Sequence, residues 1–309
     1  RLVSLSLLSS SLIGSTLCCS LLISGSPLWC MLLVSQNPYN IHTIKVFRFF
    51  VPFSIAILGN MKNPLWSLVL GGLISLTPVG SASGSDAQVQ RKTVLVDGIS
   101  YGFQVFVPAT LAGRQNLPII VFLHGIGQRG TGGVVPTEGT SGSLVRHYLE
   151  QVPAIVVLPQ CSPDKYWSDA QMDRMVMKEI DEVIDEYKAD RSRIYLTGVS
   201  MGGFGVWHLA SQHPGKFAAL VSICGGSPLR SGDRFAPIAK QVGKTPAWIF
   251  HGSEDKTVAV SESRQMNEAL KAAGANVRYS EYEGVGHNVW MKVLGEKELV
   301  PWMLEQRLP

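Results

Sequence analysis

Between residues 89 and 302, short continuous apolar runs alternate with amphipathic stretches, and this alternation narrows the possible folds more than any other feature. "LPIIVFLHG", "AIVVLPQ", "RIYLTGVS", "FAALVSICGG", "PAWIFHG" and "NVRYSEYEG" each read as a strand. Runs without polar alternation suit strands buried on both faces, the condition of a parallel sheet between two helical layers. Ahead of them, "KTVLVDGISYGFQVFVP" reads as an antiparallel hairpin turning at Asp97-Gly98. A helix is expected over residues 168–188, with Met172, Met175, Val176, Ile180, Val183, Ile184 and Tyr187 on its sheet side and a capping box of Ser168 and Gln171. "VSESRQMNEALKAAGA" is a second helix ending at Gly274, and "VWMKVLGEKELVPWMLEQ" is a third, broken at Pro301. The pattern predicts one α/β domain: a mainly parallel sheet of about eight strands with helices on both faces.

Residues 1–85 differ in kind. They hold apolar and serine-rich runs and no Asp or Glu. Within them, Met61-Lys62, the run "LWSLVLGGLISLTPV" and the small residues "GSASGS" have the basic start, apolar middle and small-residue end of a secretory signal peptide. The expected organisation is a hydrophobic leader over 1–60, a signal peptide over 61–85 cleaved between Ala82 and Ala87, and a catalytic domain over 86–309. Residues 1–60 then read as upstream sequence outside the native protein, with Met61 as the start. A rival reading makes the uncharged residues 5–34 a membrane anchor, against which stand their many serines, Gly14, Gly25 and Pro27. The expected location is secreted or periplasmic, with no stable membrane partner once the leader is gone.

Charge excludes one class of partner. The chain has 27 Lys and Arg against 23 Asp and Glu, but Arg1, Lys45, Arg48 and Lys62 all precede the first acid, Asp86. The remainder is balanced and has no basic block to follow a phosphate backbone, so no nucleic-acid partner is expected. Oligomeric state leaves no mark in the sequence. Only Cys161 and Cys224 lie beyond the leader, and the C-x-x-C and His-x-x-x-His spacings of zinc sites are absent. Two cysteines make no disulfide framework, and whether these two pair is open.

"TGVSMGG", residues 197–203, places Ser200 between glycines. Gly-x-Ser-x-Gly arises by chance roughly 0.3 times in a chain of this size and composition, so the flanks must carry the argument. They do: "RIYLTGV" is a strand and "MGGFGVWHLASQH" a helix, so Ser200 falls at the carboxyl end of a parallel strand, where a sharp turn exposes a nucleophile. The bland alternative is an N-cap serine. A serine hydroxyl needs a base, and His287 in "EGVGHNVW" follows the last strand in a glycine-bordered loop. His208 and His213 belong to the helix after Ser200, His147 reads as a solvated helix residue, and His124 and His251 at strand ends read as loop-shaping. The base needs a carboxylate to hold its tautomer, and "WIFHGSEDKTV" offers Asp255, the choice here, and Glu254. Backbone N–H groups of Met201 and of Ile126 in "HGIGQRG" are the expected oxyanion donors.

"VFLHGIGQRG", "DRSRIYLTGVSMGGFGVWHLASQHPGKFAALVSICGG", "PAWIFHGSEDKTVAVSES" and "YEGVGHNVW", in this order, resemble the α/β-hydrolase superfamily, and within it the small secreted carboxylesterase/phospholipase, dienelactone-hydrolase-like group. The resemblance spans residues 89–302. It implies Ser200, Asp255 and His287 as a triad with Ile126 and Met201 as oxyanion donors, although Ile126 stands where many relatives have a small residue. Cap domains of the superfamily enter between the strand after the nucleophile helix and the strand bearing the acid, and here residues 226–245 leave room only for a loop and a small helix. An open site for short, soluble carboxylic esters is expected, lined by Trp167, Tyr166 and Trp290, with a small-molecule ester as partner and no metal or organic cofactor. A feruloyl or acetyl-xylan esterase is the alternative, a serine peptidase a weaker one, acyl transfer to an alcohol remains open, and an inactive binding fold would have lost a triad residue.

Overall fold

The computed structural model describes residues 29–34, 45–50, 88–133, 149 and 152–309. By packing the chain divides into two units, Arg1–Thr77 and Pro78–Pro309. In the first, strands β1 (Trp29–Val34) and β2 (Lys45–Phe50) pair antiparallel, Trp29 opposite Phe50 and Val34 opposite Lys45. The expected signal peptide over 61–85 lies outside the described residues, as does most of the leader. No helix among the described residues is long and apolar enough to cross a membrane.

The second unit is an open eight-stranded sheet. It begins with a hairpin of β3 (Gln88–Val96) and β4 (Ile99–Val107). Asp97 and Gly98 between them have φ of 50° and 77°, the paired positive values that a two-residue I′ turn requires. There follow β5 (Ile119–Leu123), β6 (Ile155–Pro159), β7 (Ile194–Val199), β8 (Ala219–Ile223), β9 (Ala247–Gly252) and β10 (Val277–Tyr282). The order is β10-β9-β8-β7-β5-β6-β4-β3, parallel from β10 to β6, with the hairpin antiparallel at one edge. Chain order reverses at β5, with β6 on one side and β7 on the other, which opens a crevice beyond the carboxyl ends of these strands.

Every residue of β5 to β9 is buried, the physical content of the unbroken apolar runs. Alternate side chains serve two cores. Ile119, Val121 and Leu123 meet α1 (Ala170–Tyr187), α2 (Met201–Gln212), α3 (Ala236–Val242) and α4 (Val260–Ala272). Ile120 and Phe122 lie in the opposite core with α5 (Trp290–Val293) and α6 (Leu299–Glu305). Cys161 and Cys224 are buried and unpaired.

Three local expectations need correction. β10 is a partly exposed edge strand carrying Arg278 and Glu281, not a continuous apolar run. The capping box at Ser168 does not form: the N-cap of α1 is Asp169, whose Oδ2 turns back to accept the Tyr166 N–H at 2.6 Å. The C-terminal helix breaks between Val293 and Leu299, and Pro301 sits in the first turn of α6, where its missing N–H has no helical acceptor to lose.

Helix α1 also buries Glu179. The carboxyl is fully enclosed and neither oxygen has a partner among the described residues. Burial, and secondarily the Glu182 charge, push its pKa well above the ordinary glutamate range. With the folded value above the unfolded one, stability is complete below the unfolded pKa of about 4.5 and is lost as pH rises toward the folded value. Glu179→Met is therefore expected to gain about 1–3 kcal/mol at pH 8 and much less at pH 4.5. Thermal melts of both proteins at the two pH values check this; a Glu179→Met protein that melts lower at both would contradict it.

Candidate active site

The backbone at Ser200 shows how the site is built. Ser200 has φ 54° and ψ −118°, a region that costs a non-glycine residue about 1–3 kcal/mol. The surroundings hold it there: its N–H donates to Ile223 O at 2.8 Å, and its carbonyl accepts the Phe204 N–H at 3.2 Å as α2 begins. A Cβ on Gly198 would lie 2.3 Å from Gly202 O, so the turn closes only with glycine there. The serine side chain is thereby lifted off the end of β7.

Asp255 follows β9 and His287 follows β10. These loops are interlocked: Glu254 N–H donates to Val285 O at 2.9 Å, and a Cβ on Gly252 would lie 2.2 Å from that same oxygen. The buried Asp255 carboxylate accepts Thr257 N–H at 2.8 Å and Val258 N–H at 2.9 Å through Oδ1. Through Oδ2 it accepts His287 Nδ1–H at 2.6 Å. That bond leaves His287 Nε2 as an acceptor, and Ser200 Oγ lies 2.9 Å from it. Asp255, His287 and Ser200 thus form one hydrogen-bonded line, whereas Glu254 is not part of it.

Two other histidines support this line. Buried His251 shares its Nε2–H between Val258 O at 3.0 Å and Asp255 Oδ2 at 3.2 Å, and Ser263 Oγ lies 2.7 Å from its Nδ1. Burial lowers its pKa, so it serves as a neutral donor. His124 donates from Nδ1 to Gly125 O at 2.7 Å, accepts the Cys161 N–H at Nε2, and is pushed down to about 4 by burial. It therefore stays neutral while fixing the start of the loop that carries Ile126. That His251 also reaches the Asp255 carboxylate is a detail the sequence did not reveal; "HGSED" puts the two four residues apart, which was the available signal.

Ile126 opens a single 3-10 turn, Ile126–Gln128, directly after β5, and Met201 opens α2. Neither N–H has a hydrogen-bond acceptor among the described residues. Both residues line the same cavity as Ser200, about 210 Å³ in volume, with Tyr166, Trp167, Phe204, Pro228, Arg230 and Thr257. Trp167 is part of its wall, with its indole N–H given to His124 O at 3.0 Å. Trp290 is not. It is buried as the first residue of α5, edge-on to the His287 ring at 5.7 Å, because that short helix turns its apolar side to the sheet. Phe204, in the first turn of α2, and the loop residues Arg230 and Thr257 escaped notice because neither a short apolar helix start nor a loop sequence states which way a side chain turns.

Among the described residues one grouping of possible metal ligands occurs, Cys224, Asp255 and His287, with ligand atoms within 4.8 Å of one another. Both nitrogens of His287 are already engaged, and burial pushes the Cys224 thiol far up, so this chemistry fits proton transfer better than ligation.

An open sheet with its chain-order reversal at β5, a strained serine after β7, and acid and histidine after β9 and β10 define a class: the chain belongs to the α/β-hydrolase superfamily. Residues 158–297 match the phospholipase/carboxylesterase family. Over 161 residues the chain is 27% identical to a bifunctional acetylxylan esterase/xylanase of Neocallimastix patriciarum, covering 51% of this chain and 22% of that one. Over 227 residues it is 25% identical to acyl-protein thioesterase 1 of Gibberella zeae, covering 64% of this chain and 94% of that one. A solved thermostable esterase aligns with a TM-score of 0.63 at 31% identity, over 71% of this chain and 63% of that one. This chain therefore spans less than two thirds of two of these three relatives.

Proposed function

We propose that this chain is a serine carboxylic ester hydrolase that works through an acyl-enzyme. The observation that carries the reading is the unbroken line from Asp255 through His287 to Ser200, beside two N–H groups that have no acceptor among the described residues. Ser200 Oγ attacks the ester carbonyl carbon while His287 Nε2 takes the hydroxyl proton. Negative charge then develops on the carbonyl oxygen, where the N–H groups of Ile126 and Met201 stabilise it by several kcal/mol. Collapse breaks the bond to the alcohol, which leaves with the proton from His287. Water repeats the sequence on the acyl-enzyme: His287 takes its proton, the acid leaves, and the proton returns to Ser200. Asp255 keeps the imidazole in one tautomer and stabilises its cation. These steps need no metal or organic cofactor.

Short or small soluble esters are the substrates of this reading. A cavity of about 210 Å³ falls below the roughly 300–1,000 Å³ of sites that enclose drug-sized ligands. Between β8 and β9 the chain has only a loop and the seven-residue α3, as in an uncapped site. Export fits the signal-peptide pattern over 61–85. With p-nitrophenyl esters from acetyl to palmitoyl, kcat/KM should reach its maximum by butyryl and gain nothing with further length, because each methylene that finds no wall forgoes about 0.8 kcal/mol of burial. A preference for palmitoyl emulsions would overturn the short-chain reading.

A second reading, an acetyl-xylan or feruloyl esterase, draws on the likeness to an acetylxylan esterase and on Tyr166 and Trp167 in the wall. Acetate release from acetylated xylan tests it.

A further inference from the structure

The cavity beside Ser200 is walled by Ile126, Trp167, Phe204 and Pro228, with hydroxyls from Ser168 and Thr257. Among its described lining residues one side chain is charged, Arg230. Arg230 is exposed and has no hydrogen bond, ion pair or ring contact with any described residue. Its neighbours are otherwise engaged. Arg234, in the same loop, makes two bonds to Glu262, at 2.7 and 2.8 Å, and Arg129, which packs over the cavity residue Tyr166 at 5.5 Å, donates to Lys165 O. Of the acids in and against this loop, Glu262 is taken by Arg234 and the Ser227 N–H, and Asp233 makes no ion pair with Arg230 and accepts the N–H groups of Phe235 and Ala236 through Oδ1.

The loop that presents Arg230 is tied at its base. Ser227 Oγ donates to Arg234 O and accepts the Leu229 N–H, while Arg234 Nε donates to Leu229 O at 2.9 Å. A guanidinium lining an apolar cavity, without a carboxylate partner among the described residues, is a bidentate receptor for one supplied by a ligand. The same charge disfavours cationic esters.

We propose that Arg230 makes this site selective for esters that carry a carboxylate on the part of the molecule that is not cleaved. The proposal rests on the esterase reading and names its substrate class. The apolar wall takes the hydrocarbon or aryl body, Ser200 meets the ester carbonyl, and Arg230 meets the anion. Such a carboxylate belongs either to the acyl half, as in a dicarboxylic acid hemiester, or to the alcohol half, as in an acylated hydroxy acid.

Two matched pairs of probes separate these sources: monomethyl adipate against methyl hexanoate, and 4-acetoxybenzoate against its methyl ester. The readout is the ratio of kcat/KM, anionic over neutral, compared between the wild type, Arg230→Gln, Arg230→Glu and Arg230→Lys, so that intrinsic reactivity cancels. In one pair the ratio should fall about tenfold in Arg230→Gln, fall further in Arg230→Glu, and recover in part in Arg230→Lys. In the wild type it should also fall with added salt. Circular dichroism melts establish that each variant is folded. Ratios that stay the same in all four proteins, with neutral esters still hydrolysed, would overturn the role of Arg230 and leave the esterase reading standing. A wild type that hydrolyses neither neutral ester nor p-nitrophenyl acetate would overturn the esterase reading itself.

Discussion

Gly202→Ala should lose at least about 3 kcal/mol of stability, a fall in Tm of roughly 10 °C, before catalysis is considered. An added Cβ would lie 1.9 Å from Leu123 O, 2.6 Å from Leu123 C and 3.0 Å from His124 O. All three are backbone atoms of β5 and the residue after it, so no rotamer change relieves the contact. Relief requires α2 to move away from β5, and that motion would separate Met201 from Ile126. Gly127→Ala is the control, because a Cβ there meets nothing within 4 Å, and it should melt within about 2 °C of the wild type. Calorimetry of the two variants checks both statements. A Gly202→Ala protein that melts like the wild type would mean the turn is not packed as described.

Ser200→Ala should lower kcat for p-nitrophenyl acetate by about 10⁴- to 10⁶-fold while the protein stays folded. Asp255→Asn should cost about 10⁴-fold, because an amide there favours the wrong tautomer of His287. The Ser200→Ala/His287→Ala double variant should be no slower than Ser200→Ala alone, since a nucleophile without its base and a base without its nucleophile are equally idle. Steady-state rates of these three variants, of His287→Ala alone and of the wild type test this set. Losses that multiplied would show that Ser200 and His287 act independently, against the hydrogen bond between them.

How far the sequence reveals the molecule depends on whether burial or orientation is at issue. β5 to β9 are buried on both faces, so hydropathy alone marks them, and Asp97-Gly98 marks the hairpin because few residue pairs accept two positive φ values. The positions of Ser200, Asp255 and His287 after three of the parallel strands, β7, β9 and β10, were legible for the same reason. Orientation was not. Trp290 stands three residues past His287, as a mouth residue would, yet the packing of α5 turns it into the core behind the histidine. Glu179 falls on the apolar side of α1 by helical spacing, but a carboxylate defaults to water, and only the packing shows it enclosed. Arg230 reads as one more loop arginine until Arg234 beside it is seen to be paired while it has no partner among the described residues.

The central claim is that Ser200 is the nucleophile, and covalent trapping tests it most directly. A fluorophosphonate reacts with a serine only when that serine is activated, and peptide mass spectrometry locates the adduct. The account predicts a single adduct on Ser200, none in Ser200→Ala, and much slower labelling in His287→Ala. An adduct on another residue, or ester hydrolysis that survives Ser200→Ala undiminished, would contradict it.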